Sequence, residues 1–84
     1  MEDHLSTEQV GWVLGRSAGT VRDQVKAGEI DGSRITTGFR IPKAEVLRLA
    51  RDKIEAEDGR RLSDRALETL IDEVIATNED ATGA

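Results

Sequence analysis

The 84-residue chain contains no cysteine, and its only aromatic side chains are Trp12 and Phe39. Without cysteine it can form neither a disulfide nor a thiolate zinc site, which is compatible with a reducing cytoplasm. Two aromatic residues are too few for the stacking platform that grips single-stranded nucleic acid. No apolar run approaches the ~20 residues that span a bilayer, and the acidic N-terminus does not resemble a signal peptide. We therefore expect one small cytoplasmic domain without a membrane partner.

Residues suited to catalysis or metal binding are also scarce. His4 is the only histidine, and it lies near the N-terminus. No ligands with metal-site spacing occur, and there is no glycine-rich loop for phosphate. Acidic pairs such as Asp72-Glu73 are more simply read as solvated charge. We expect no enzyme, no cofactor, no metal and no small-molecule substrate.

The net charge of −5 argues, taken alone, against a nucleic-acid partner. The distribution of the charge along the chain does not argue against such a partner, because residues 16–51 carry eight basic and four acidic side chains. Residues 52–84 carry four basic and ten acidic ones. A basic middle beside an acidic half is an asymmetry typical of nucleic-acid-binding chains, although a solvated surface with chance clustering explains the counts equally well.

The first helix has a clear start signal. Ser6 and Gln9 have the spacing of a capping box, in which each side chain bonds the backbone N–H of the other residue. Val10 then begins an apolar stripe, and Gly15 supplies a C-terminal cap. These signals predict a helix over about 7–14.

A second helix is predicted over about 18–27. Ser17 caps it, Val21 and Val25 form its buried stripe, and Gly28 closes it. Only three residues separate the two helices, which is the short connection that a helix-turn-helix requires.

Two short runs rich in β-branched residues follow, and they predict a two-stranded hairpin at about 33–41. Gly38 provides the positive φ of a tight turn, which we place at Thr37-Gly38. Ile35 is expected to face the core together with Phe39 or Ile41.

Two further helices are predicted, over about 43–56 and 64–76, with Pro42 as the first residue of the former and Ser63 capping the latter. The last helix has a broad apolar stripe, so it either packs on the domain or pairs with another copy. The polar residues 77–84 are expected to form a disordered tail. The predicted fold is mainly α with a small two-stranded β-hairpin: a winged helix-turn-helix domain over 1–57 and a C-terminal helical segment over 58–76.

From Leu5 to about Leu49 the chain resembles the excisionase-type helix-turn-helix family, which is related to the DNA-binding half of MerR-like regulators. The matching text is L-S-T-E-Q-V-x-x-V-L-G-R-S-x-x-T-V, then K-A-G-E-I, then R-I-T-T-G-F-R-I-P-K-A-E-V. The resemblance covers a little over half of the chain. It implies that the second helix enters the major groove of DNA and that the wing reaches the flanking backbone or minor groove.

The resemblance and the geometry of the major groove together give the expected DNA contacts. On the recognition helix, the expected base-edge contacts are Ser17, Thr20, Arg22 and Asp23. The expected phosphate contacts are Arg16, Lys26, Arg34, Arg40 and Lys43. The wing tip, Thr36-Thr37-Gly38, has no bulk and can approach a DNA backbone closely.

The chain departs from the family pattern at three positions. Family members often carry a basic residue where Gly19 and Asp23 stand here. Asp23 can accept a hydrogen bond from cytosine N4, repel phosphate, or pair with a neighbouring cation. Trp12 replaces a usually polar residue, and we expect the last helix to cover it rather than leave it for a protein contact.

The resemblance implies an excisionase, or recombination directionality factor, of a phage or mobile element that acts in a bacterial or phage-infected cell. Such a protein would bind adjacent DNA sites cooperatively with other copies of itself and bend the duplex, with an integrase as a further candidate partner. A small transcriptional regulator with the same DNA-binding surface is the first alternative. An interaction module of the anti-repressor kind, using the acidic half as a nucleic-acid mimic, is the second.

Overall fold

The computed structural model describes residues 4–82, so Met1–Asp3 and Gly83–Ala84 lie outside it. The described residues are mainly helical, with one small antiparallel sheet. The elements in chain order are β1 (His4–Leu5), α1 (Thr7–Leu14), α2 (Ala18–Lys26), β2 (Ser33–Ile35), β3 (Gly38–Pro42), α3 (Lys43–Asp58) and α4 (Asp64–Thr82).

The local signals at the first two helices are confirmed. Ser6 and Gln9 form the capping box, with the Gln9 N–H donating to Ser6 Oγ at 3.2 Å. Gly15 adopts the left-handed conformation (φ 70°) that ends α1. Gly11 permits the close turn into α2, because a Cβ at this position would overlap the carbonyl oxygen of Arg16.

The predicted hairpin forms from β2 and β3, and a third strand that the sequence did not predict gives the sheet the order β1-β3-β2. His4 pairs with Pro42 and Leu5 with Ile41, which places the N-terminal segment beside β3. A strand of two residues has no periodicity from which it could be predicted.

The expectation that Ile35 belongs to the core is wrong, because Ile35 is 36% exposed whereas Ile41 is fully buried. The turn is at Thr36-Thr37, one residue earlier than expected, and Ile35 pairs with Gly38. Side chains alternate along a strand, so Ile35 lies on the face opposite Phe39 and Ile41.

The last two helices are longer than the sequence predicts. Pro42 is the residue preceding α3 rather than its first residue, and α3 continues to Asp58 before Gly59 (φ 67°). Ser63 caps α4 by accepting the Ala66 N–H at 3.2 Å, as predicted. The expected disordered tail is corrected for residues 77–82, which continue α4, because they contain no glycine or proline to stop the helix.

The core lies between α1, α3 and α4, and α2 packs chiefly on α1. It is built from Leu5, Val10, Leu14, Val21, Ile30, Ile41, Val46, Ala50, Leu67, Ile71 and Ile75. Trp12 is partly buried and packs against this cluster, as do Val13 and Val25. The C-terminal helix α4 packs against α1 and α3. None of the helices in residues 4–82 combines the length and apolarity needed to cross a membrane.

Candidate nucleic-acid interface

The N-terminus of α2 is exposed and held by a hydroxyl pair. Ser17 Oγ accepts the Thr20 backbone N–H at 3.1 Å and lies 2.9 Å from Thr20 Oγ1. Both side chains are exposed, so the cap leaves them open to solvent on the outer surface of the helix. The hydroxyl of Thr20 therefore bonds within the helix while remaining accessible to a ligand.

Arg16, in the connection between α1 and α2, is positioned by a neutral partner. Its Nη1 donates to Gln24 Oε1 at 2.8 Å. Because an amide neutralises no charge and one bond uses only one of the five guanidinium donors, Arg16 keeps its positive charge and most of its hydrogen-bonding capacity. Gln24 is a positioning residue that the sequence did not single out.

The charged side chains of α2 lie on its outer surface. Arg22 and Lys26 are four residues apart and therefore neighbours on one helix face. Asp23 lies three residues before Lys26. All three are exposed, and none of their side chains forms a hydrogen bond or ion pair with another of residues 4–82.

The β2–β3 hairpin carries two further free cations, one on each face. Arg34 pairs with Phe39 and Arg40 pairs with Ser33, so alternation places the two arginines on opposite faces of the hairpin. Both are exposed, and neither side chain has a hydrogen-bonding partner among the described residues. Thr36 and Thr37 form the exposed tip, and Gly38 takes the positive φ (141°) that follows it.

Lys43 differs from the other sequence-predicted phosphate contacts. Its ammonium lies 3.0 Å from the carboxylate of Asp72, and its side chain is only 17% exposed. The cause is tertiary, because Lys43 begins α3 at the place where α4 packs against it. Its charge is largely offset within the protein.

The remaining basic residues of α3 are also paired with acids. Arg48 contacts Glu45 at 2.8 Å and Asp52 at 3.7 Å, and Arg51 contacts Asp64. Consequently the basic side chains of residues 16–51 divide into two groups. Those of the α1–α2 connection, α2 and the hairpin have no acidic partner among residues 4–82, whereas those of α3 do.

Glu45 fixes the segment that connects α2 to the hairpin. It is 8% exposed and accepts two hydrogen bonds from Arg48 and one, at 3.0 Å, from the Asp31 backbone N–H. The bonds from Arg48 hold the pKa of the Glu45 carboxyl below its ordinary value, against the opposing effect of burial. A glutamate among apolar helix residues gave no sequence signal of this role.

Comparisons with known proteins return no match. No protein-family model fits the chain, and neither a curated protein nor a solved structure matches it. The family resemblance therefore remains an expectation based on the motifs alone.

Proposed function

We propose that the chain binds double-stranded DNA as a winged helix-turn-helix, with α2 in the major groove and the β2–β3 hairpin as the wing. One observation carries the proposal: the exposed cations without an acidic partner are concentrated on α2 and the hairpin, at Arg22, Lys26, Arg34 and Arg40. Cations without an acidic partner are those available to replace the counterions of a phosphate backbone.

In this proposal, the N-terminal half of α2 reads base edges. Ser17, Thr20 and Arg22 offer hydroxyl and guanidinium groups at the outer surface. Arg22 suits the acceptors O6 and N7 of guanine, and Asp23 suits the N4 amino donor of cytosine. The Asp23 carboxylate, which has no ion-pair partner among residues 4–82, disfavours DNA sequences without a cytosine at this place, since it repels any phosphate or base acceptor near it.

Phosphate contacts come from Lys26, from Arg16 as held by Gln24, and from the wing. Because Arg34 and Arg40 lie on opposite faces of the hairpin, a wing placed between two rows of phosphates would present one arginine to each DNA strand. The tip has no side chain larger than threonine, which permits that approach. Lys43 has no part in this surface, because Asp72 already neutralises it.

The test is duplex binding by fluorescence anisotropy, at about 50 mM salt where electrostatic binding is strong. We expect wild type to bind, and Arg22→Ala/Lys26→Ala to bind at least about tenfold more weakly. Arg60→Ala/Arg65→Ala is the matched control, since it also removes two exposed cations without ion-pair partners among the described residues, but outside the proposed surface. Equal loss in both variants would mean that only net charge matters, and no binding by wild type would reject the function.

Within DNA binding, the motif resemblance favours the role of an excisionase that binds adjacent sites with further copies of itself and bends the duplex. Bending a short site by 40–90° costs roughly 1–6 kcal/mol, which several protomers would share. In a reaction reconstituted with an integrase and its attachment site, we expect the chain to increase excision. Binding at that site without any effect on excision would instead favour a transcriptional regulator.

A further inference from the structure

A shallow apolar groove runs between the C-terminal half of α3 and the middle of α4. Two adjoining depressions, of about 130 and about 400 Å³, share Ile54, Asp58 and Leu70 as lining residues. We call this the α3–α4 groove and define its apolar surface by Ile54, Leu62, Ala66, Leu70 and Val74. Leu70 is 40% exposed, and only one other large hydrophobic side chain among residues 4–82, Ile35, is classed as exposed.

The spacing of the groove residues matches the periodicity of a helix. Ala66, Leu70 and Val74 follow one another at intervals of four along α4 and therefore form a line of about 12 Å, with Ile54 contributing the α3 side. An amphipathic helix that docks in a groove uses side chains at i, i+3 or i+4, and i+7, which cover a similar length. The groove can accommodate about two turns of such a helix.

The charge around the groove indicates the sign of the charge on a binding partner. Asp58 and Glu73 line it without ion pairs among the described residues, and Lys53 is neutralised by Glu57. Arg60 is the unpaired cation that lines it. Residues 52–84 as a whole carry ten acidic and four basic side chains. Two copies meeting through this face would bring two acidic halves together, which disfavours a symmetric dimer.

We propose that the α3–α4 groove binds a cationic amphipathic helix of another protein, with apolar side chains on Leu70 and Ile54 and basic ones near Asp58 and Glu73. The groove lies on α3 and α4, whereas the cations proposed to contact DNA lie on α2, the hairpin and the connection before α2. The inference therefore does not depend on DNA binding, and one molecule has separate surfaces for the two partners.

The test uses the full chain and a labelled peptide of leucine and lysine in helical amphipathic spacing, about 18 residues long because shorter helices are marginal in water. We expect fluorescence anisotropy to show binding that is at least about tenfold weaker in Leu70→Ser, from the loss of one buried leucine contact. Ile35→Ser is the matched control at the other exposed apolar residue, and we expect it to bind like wild type. Glu73→Lys, at an exposed position, is expected to weaken peptide binding several-fold. If circular dichroism shows that Leu70→Ser is unfolded, the peptide affinity of Glu73→Lys tests the proposal instead.

Several results would overturn the proposal. A scrambled peptide of the same composition that binds equally would show that charge alone attracts the probe. A leucine and glutamate peptide that binds equally would remove the preference for cations. Sedimentation showing a wild-type dimer that Leu70→Ser dissociates would assign the groove to a second copy of the chain.

Discussion

The double variant Arg34→Ala/Arg40→Ala is expected to flatten the salt dependence of duplex binding while leaving the fold intact. Both side chains are exposed and without hydrogen bonds to other described residues, so the free energy of unfolding should change by less than about 0.5 kcal/mol per substitution. Each phosphate contact contributes a slope of about −0.9 to the plot of log affinity against log salt. Losing both contacts should therefore reduce the slope by about 1.8.

That difference is large enough to measure. When salt is raised from about 50 to 200 mM, both proteins lose affinity for the duplex. With a slope difference of about 1.8, the fold-loss of affinity is roughly 12 times larger for wild type than for the variant. The assay is anisotropy titration of one labelled duplex across this salt range, with Arg60→Ala/Arg65→Ala as the charge-matched control. An unchanged slope in Arg34→Ala/Arg40→Ala would show that the hairpin arginines do not contact phosphate. A slope reduced by only about 0.9 would show that just one of the two arginines, and so one face of the hairpin, contacts phosphate.

Three further predictions concern α2 and the stability of the fold. Arg22→Ala should change the preference between cognate and mismatched duplexes by about 1–3 kcal/mol, measured by competition binding. Gly11→Ala should destabilise the protein by at least about 1 kcal/mol in thermal melts, because the new Cβ overlaps the Arg16 carbonyl. At Gly19 the nearest atom to a new Cβ is 4.0 Å away, so Gly19→Ala should instead stabilise α2 by up to about 1 kcal/mol. Glu45→Gln should destabilise by about 1–3 kcal/mol at neutral pH.

The Glu45 effect has a defined pH dependence. The folded-state pKa of Glu45 lies below its ordinary value of 4.5, so the folded protein binds fewer protons than the unfolded chain in this range. The stabilisation is thus complete above about pH 4.5 and is lost as the pH falls through the lowered pKa. The difference in unfolding free energy between wild type and Glu45→Gln should shrink over that interval.

Each of these predictions has a contrary result. A constant difference between wild type and Glu45→Gln across the acid range would show that Glu45 is not stabilised as a carboxylate. Equal melting of Gly11→Ala and Gly19→Ala would mean that the α1–α2 turn is looser than described. An equal loss of affinity on cognate and random duplexes for Arg22→Ala would remove this residue from base reading.

Elements fixed by local chemistry could be predicted from the sequence. The α1 capping box, the Ser17 cap and the Ser63 cap all form as expected, because their bonds join residues three apart. The left-handed Gly15 likewise ends α1 where predicted.

Features that depend on distant partners could not be predicted. The face of Ile35 is decided by the pairing of β2 with β3, which joins Ile35 to Gly38 and places it on the face opposite Phe39 and Ile41. The pairing of Lys43 depends on where Asp72 is placed by α4, 29 residues later. The helical extension to Thr82 combines helix propagation with a tertiary contact, the 3.3 Å hydrogen bond from Gln9 to Glu79.

Backbone amide chemical shifts during a titration with duplex DNA test the central claim most directly, because they report which surface meets the DNA. The account predicts that the largest changes fall on residues 16–26 and 33–40, and that the exposed face of α4 around Leu70 stays unchanged. Changes concentrated on α3 and α4, with α2 and the hairpin unaffected at a saturating DNA concentration, would contradict it.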